Sequence, residues 1–269
     1  MFWTRLLSGI VLLLLMFGAI FFGGDVLYVL ILATSLIGMF ELYRVFHIQK
    51  TVPGILGYLT ACGYFILLRE DLLSYALFLL AGFLLVLMTC YVVGYPRYSI
   101  KQITACFFGF FYVPFLLGCI YQIRLMRSGV YLVWLVFIGS WGSDTCAYCA
   151  GRLFGKHKAF PVLSPKKSWE GCVGGVVGAA LIGFLYAWIF RSHIHTPMDP
   201  VILVPLVAGV SSVFAQIGDL AASAIKREKQ IKDYGTLIPG HGGILDRFDS
   251  VIFIAPAVYY LLKLLENLA

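Results

Sequence analysis

The sequence predicts an all-α, polytopic integral membrane protein. Three observations carry that reading: 61% of the residues are hydrophobic and 12% are charged, the mean hydropathy is +0.93, and the apolar residues gather into nine long runs. A soluble domain carries about 25% charged residues. A membrane-spanning helix needs roughly 17–25 predominantly apolar residues, which each run meets or approaches.

The first run, about Leu6 to Phe22, follows Arg5 and has the outline of a secretory signal. No small-residue cleavage site follows it, so it is read as a retained helix. Runs of about Val26 to Phe40, Pro53 to Leu68, Leu72 to Tyr95 and Ile103 to Ile123 come next, joined by short loops. The sixth, about Val130 to Ala150, carries Asp144 in its apolar length, and an intramembrane carboxylate is costly enough to suggest function. The bland alternative is an interfacial helix cap. Three more runs follow, about Cys172 to Phe190, Val201 to Ala222 and Ser250 to Leu265. Trp3, Tyr95 and Trp188, near run ends, suit interfacial anchors.

Placing the N-terminus in the cytoplasm puts Arg5, Arg44, Lys50, Arg97, Lys101 and every Lys and Arg of residues 150–190 and 220–250 on that side. Only Arg69, Arg124, Arg127, Arg191 and Lys263 fall outside, which is the asymmetry of the positive-inside rule. The net charge of +7 then belongs mostly to the cytoplasmic face, where it attracts anionic lipid and nucleotide phosphates. Nucleic acid is not an expected partner, because the basic residues are divided among short loops. Seven cysteines, mostly inside apolar runs, do not form a disulfide framework. Cys146-x-x-Cys149 is read as a pair of small packing residues rather than half of a metal site. A single membrane domain over 1–269 is expected, with 1–128 mainly scaffold and 129–269 supplying the catalytic helices and loops.

Polar chemistry is concentrated in residues 219–249. Read as a helix, Asp219, Ser223, Lys226 and Arg227 share one face, placing a carboxylate, a hydroxyl and two cations together. The glycines of Pro239-Gly240-His241-Gly242-Gly243 permit tight or left-handed backbone, so amides can approach a ligand. Asp246 and Asp249 follow, with Asp246 expected at an exposed loop end. A solvated loop with helix caps is the competing reading. Upstream, Ser164-Pro165 resembles an N-cap followed by proline, which would set Lys166 and Lys167 in a helix's first turn beside an anion site. Arg152, eight residues after Asp144, falls on the same helical face as a partner or phosphate ligand. The role of Glu170 is open, and His193 and His195 read as solvated.

The order Ser223-x-x-Lys226-Arg227, four residues, Lys232-Asp233, then His241-Gly242-Gly243 and Asp246-Arg247-x-Asp249 resembles, without departure, the signature of the phosphatidate cytidylyltransferases, the CDP-diacylglycerol synthases. Residues 143–156 and 164–171 look like that family's other polar segments; the first 100 residues match only in apolar character. The resemblance implies transfer of CMP from CTP to phosphatidic acid, giving CDP-diacylglycerol and pyrophosphate in phospholipid synthesis. It further implies a homodimer in the membrane lipid of a bacterial inner membrane, with its site facing the cytoplasm. Asp219, Asp246, Lys226 and Asp144 are then the expected catalytic residues. Lys166, Lys167, Ser223, Arg227, Lys232, His241, Arg247 and Arg152 are the expected substrate ligands. Mg²⁺, one ion or a pair, is expected at Asp219, Asp246 and Asp249, since hard oxygen ligands with substrate phosphates suit that ion. A CTP-dependent lipid-alcohol kinase and a cation transporter are the alternatives; the first needs a base for its hydroxyl, the second charges along a path across the membrane.

Overall fold

The computed structural model describes residues 2–268, with side chains from 9 to 267. The side chains of Trp3 and Arg5 therefore lie outside the described residues. Helices dominate, as expected: α1 (Phe2–Phe22), α2 (Gly24–Val45), α3 (Val52–Arg69), α4 (Ala76–Val93), α5 (Ile100–Phe110), α6 (Leu116–Leu125), α7 (Gly129–Leu132), α8 (Trp134–Phe137), α9 (Ser143–Phe154), α10 (Trp169–Phe190), α11 (Pro200–Glu228) and α12 (Leu245–Leu268). Eight helical stretches are long and apolar enough to cross a membrane, while the described apolar part of α1, Gly9–Phe22, is shorter. One antiparallel hairpin, β1 (Lys158–Phe160) with β2 (Ser164–Ser168), departs from the all-helical pattern.

The chain divides into two compact units, Met1–Gly118 with Asp233–Arg247, and Cys119–Lys232 with Phe248–Ala269. In the first, the fully buried Tyr43 of α2 is the pivot. Its hydroxyl donates to the Cys106 carbonyl at 2.6 Å, and Gly57 of α3 and Gly109 of α5 lie so close to its ring that a Cβ at either would strike it. Backbones thus approach where side chains are absent, the usual basis of helix packing in lipid. Caps fix the ends: Thr51 accepts from Gly54 N, and Ser99 forms a reciprocal capping box with Gln102. The α4 face bearing Leu77, Phe78, Leu85, Val92 and Val93 is exposed, as a lipid-facing surface would be. A π-helical turn at Phe111–Phe115 follows α5. Pro114 sits within it and offers no N–H to the ladder.

In the second unit α10 packs through a stripe of small buried residues, Gly171, Gly175, Ala179, Gly183 and Ala187. At Gly174 a Cβ would strike Ala150 of α9, and at Gly178 it would strike Cys146. On the far side, Gly183 lies against Ala208 and Pro205 of α11. Cys146 thus packs against a glycine, and Cys149 is exposed; no described cysteine is bonded to another. A second π-helical turn, Ile138–Gly142, leads into α9 and directs Ser143 and Asp144. α11 continues past the apolar run to Glu228, which makes Asp219, Ser223, Lys226 and Arg227 residues of one helix.

Candidate active site

The second unit holds a cavity of about 370 Å³ lined by Asp144, Arg152, Ser164, Lys166, Lys167 and Gln216 among others. That volume lies within the range of small-molecule sites, about 300–1,000 Å³. Asp144 and Arg152 come from α9, where their eight-residue spacing places both on the cavity wall. Lys166 and Lys167 come from β2, not from a helix. The expected N-cap at Ser164 is corrected: the cap is Ser168, whose hydroxyl accepts from Gly171 N at 3.2 Å, and α10 starts at Trp169. Pairing of Lys158 with Ser168 and Phe160 with Ser164 draws residues 164–168 into a strand, overriding the local Ser-Pro signal. The lysines therefore do not flank the free amides of a helix; they reach the cavity from a hairpin edge.

Lys167 Nζ lies 2.5 Å from Asp219 Oδ2 of α11, with both side chains about a quarter to a third exposed (24% and 31%). Asp144, Asp219 and Asp249 lie within electrostatic reach of one another, and Lys167 and Lys226 are the cations that act on them. Three mutually repelling carboxylates in one unit thus have two lysines as counter-charges. Gln216, one turn before Asp219, donates from Nε2 to the Cys172 carbonyl at 3.0 Å. Glu170 takes the His157 amide at 3.2 Å and pairs with Nδ1 of the same histidine at 2.6 Å.

Beyond the cluster, a second depression of about 480 Å³ is lined by Ser223, Lys226, Arg227, Gln230, Ile231 and Lys232. Three of the expected substrate ligands, Ser223, Arg227 and Lys232, meet there with the expected catalytic Lys226. Cations at a helix C-terminus are also favoured by the dipole, so their placement serves the fold as well as an anion.

The glycine turn belongs to the first unit. Gly240 (φ +77°) and Gly242 (φ +86°) adopt the left-handed conformation that glycine tolerates. Asp246 is 7% exposed, which corrects the expectation of an open loop end. Its Oδ2 accepts from Tyr234 N at 2.8 Å and Gly243 N at 3.0 Å. Arg247 donates from Nε to the His241 carbonyl at 3.1 Å, so its guanidinium braces the turn. A second buried carboxylate, Glu41 of α2, accepts from Ile244 N at 3.1 Å and Leu245 N at 2.8 Å. Sequence reading missed Glu41; the one signal was an acid near the end of an apolar run. Ser168 and Gln216 were missed as well, being polar residues without charge.

Among the described residues no three His, Cys, Asp or Glu side chains converge closely enough to hold a metal by themselves. Of the expected ligands Asp219, Asp246 and Asp249, Asp246 lies in the first unit with Oδ2 taken up by two amides; the donor chemistry of Asp219 and Asp249, with Asp144 in electrostatic reach, fits Mg²⁺, which commonly takes one or two protein carboxylates and completes its octahedron with water and substrate phosphate.

The Cytidylyltransferase family pattern matches residues 3–265. The phosphatidate cytidylyltransferase of Staphylococcus haemolyticus (strain JCSC1435) is 32% identical over 264 residues, 96% of this chain and 98% of that protein. That of Staphylococcus epidermidis (strain ATCC 12228 / FDA PCI 1200) is 34% identical over 266 residues, with the same coverage. The Bacillus subtilis (strain 168) phosphatidate cytidylyltransferase is 31% identical over 268 residues, 97% of each chain. A helical chain whose carboxylates and cations gather around two depressions, and which aligns with these proteins almost end to end, belongs to the cytidylyltransferase family.

Proposed function

We propose that this protein is a phosphatidate cytidylyltransferase, joining CTP and phosphatidic acid into CDP-diacylglycerol with release of pyrophosphate. The observation that carries the reading is the Lys167–Asp219 pair beside a cavity that also presents Asp144, Arg152 and Lys166. Cations for a triphosphate and carboxylates for a divalent ion adjoin there.

The nucleophile comes with the substrate. A phosphate monoester is largely ionised at neutral pH, its second pKa near 6 for comparable groups, so no strong protein base is required. One phosphate oxygen of the lipid attacks the α-phosphorus of CTP, and the bond to the bridging oxygen breaks as pyrophosphate leaves. Catalysis of this kind is mostly positioning and charge stabilisation. Lys166, Lys167 and Arg152 orient and neutralise the phosphates in the cavity; Lys226, Arg227 and Lys232, with the Ser223 hydroxyl, do so at the second depression. Asp219 and Asp249 are the carboxylates that would hold Mg²⁺, with Asp144 close by. The ion, when bound, supplies positive charge to the phosphate oxygens as a Lewis acid. Asp246 and Arg247 fix the glycine turn, from which His241 offers a hydrogen bond to phosphate.

The enzyme works as a homodimer in a bacterial inner membrane, with its site on the cytoplasmic side; the Lys and Arg asymmetry supports the orientation. Purified protein in nanodiscs, given phosphatidate, Mg²⁺ and CTP labelled at the α- or the γ-phosphate, tests the reading. Label from α-CTP should enter the lipid and label from γ-CTP should leave as pyrophosphate. Lipid labelling from γ-CTP alone would instead identify a kinase.

A further inference from the structure

Glu41 is a nearly fully buried acid, 4% exposed, near the end of an apolar helix, and the reaction above makes no use of it. An ionisable group in such a segment is costly enough to need an explanation. Its contacts all lead to one place. Both carboxylate oxygens accept backbone amides at the start of α12, Oε1 from Ile244 and Oε2 from Leu245. Gly235 and Gly243 lie against the same carboxylate, where a Cβ on either would collide with it. Arg44, one turn along α2 on the same face, donates to the Tyr234 carbonyl and lies within electrostatic reach of Glu41.

Asp246 approaches the turn from the start of α12 and takes the amides of Tyr234 and Gly243. Two carboxylates therefore hold four amides of residues 234–245, and Arg44 holds a carbonyl. Carboxylate–amide hydrogen bonds are charge-assisted, and a helix N-terminus favours the negative charge. Glu41 is separated from Leu245 by 204 positions, so this grip is tertiary.

We propose that Glu41 and Arg44 are positioning residues for the nucleotidyl transfer: from α2 they clamp the 234–245 segment and so set where the His241-Gly242-Gly243 turn presents its groups to phosphate. The role rests on the function proposed above. It also accounts for the glycines at 235 and 243, which leave room for the Glu41 carboxylate.

The test is Glu41→Gln in nanodiscs. The amide keeps the shape but sets its NH₂ against a backbone N–H, so one amide loses its acceptor. kcat should fall roughly 10-fold or more, the scale of one lost hydrogen bond to a charged group, while KM for phosphatidate stays within about twofold, since Glu41 itself is buried. Hydrogen exchange should quicken in peptides covering 234–245 and stay unchanged in α9, α10 and α11. Glu41→Asp, which keeps the charge on a shorter reach, should lie between. Unchanged kcat or unchanged exchange in folded Glu41→Gln protein would overturn the proposal. If that variant does not fold, Arg44→Lys decides by the same two readouts. Wild-type protein that makes no CDP-diacylglycerol would refute the function instead, and the exchange measurement would still decide whether the clamp exists.

Discussion

Lys167 and Asp219 are partly exposed, and an ion pair of that kind contributes little to stability, about 0–1 kcal/mol. In the function proposed above their value is chemical, and the mutants should say so. Asp219→Asn should lower kcat by about 100-fold or more, the scale of removing one preorganised electrostatic contact, and leave thermal unfolding in detergent close to wild type. Lys167→Ala should lower kcat/KM for CTP about 10- to 150-fold, corresponding to roughly 1.5–3 kcal/mol for a charge-assisted contact; steady-state kinetics with varied CTP measures it. Asp246 should behave differently. Asp246→Ala orphans the amides of Tyr234 and Gly243, so it should lower stability by about 1–3 kcal/mol per buried amide, visible as a lower Tm, before any effect on catalysis is counted. At this scale the sequence displayed the charged members of the cavity well, because Asp144 and Arg152 share a helix face and Lys166 and Lys167 are adjacent. Glu41 stayed hidden because its partners lie some two hundred positions away, and a single sequence gives no pairing between distant segments.

The elements show where local signals compete. Ser164-Pro165 and Ser168-Trp169 both offer a serine able to cap a helix, and the first adds the proline that favours a start. The structure chooses the second, since residues 158–160 pair with 164–168 and hold the first serine in a strand. Ser168→Ala should accordingly cost about 0.5–2 kcal/mol, the usual loss for an N-cap, whereas Ser164→Ala should leave Tm nearly unchanged; thermal unfolding of the two variants side by side distinguishes them. The helices themselves were legible from apolar run length. Their ends were less so: the helical reading of 219–227 agrees with α11 running to Glu228, but α10 starts at Trp169 rather than after Ser164. α10 allows a sharper statement: Gly178→Val would drive a branched side chain into Cys146 of α9, so the variant should lose folded yield in detergent, and Cys146→Ala should recover part of it.

For the molecule as a whole, the sequence reading rests on charge asymmetry as much as on hydropathy. It places the hairpin bearing Ser164 and the turn bearing Gly240 on one side. Ser164→Cys and Gly240→Cys, each in a background with all seven native cysteines replaced, should resist a membrane-impermeant thiol reagent in intact cells and react after permeabilisation. Reaction of either position in intact cells would contradict access to cytosolic CTP. The grouping of residues 233–247 with the N-terminal helices was not legible in the sequence. Asp233–Arg247 belongs with the N-terminal helices and Phe248 onward with the other unit, so one uninterrupted motif is shared between two packing neighbourhoods. Only three-dimensional contacts reveal such a cut. The glycine and alanine stripe of α10 has a further consequence, which lies in entropy. Glycine and alanine have no side-chain rotamers to freeze, and lipid supplies no hydrophobic drive to press helices together. Helix α10 therefore meets α9 and α11 through backbone surfaces already rigid before they touch. The helices bearing Asp144 and Asp219 are thus registered by main chain rather than by adjustable side chains, which limits how far thermal motion can spread the carboxylates apart.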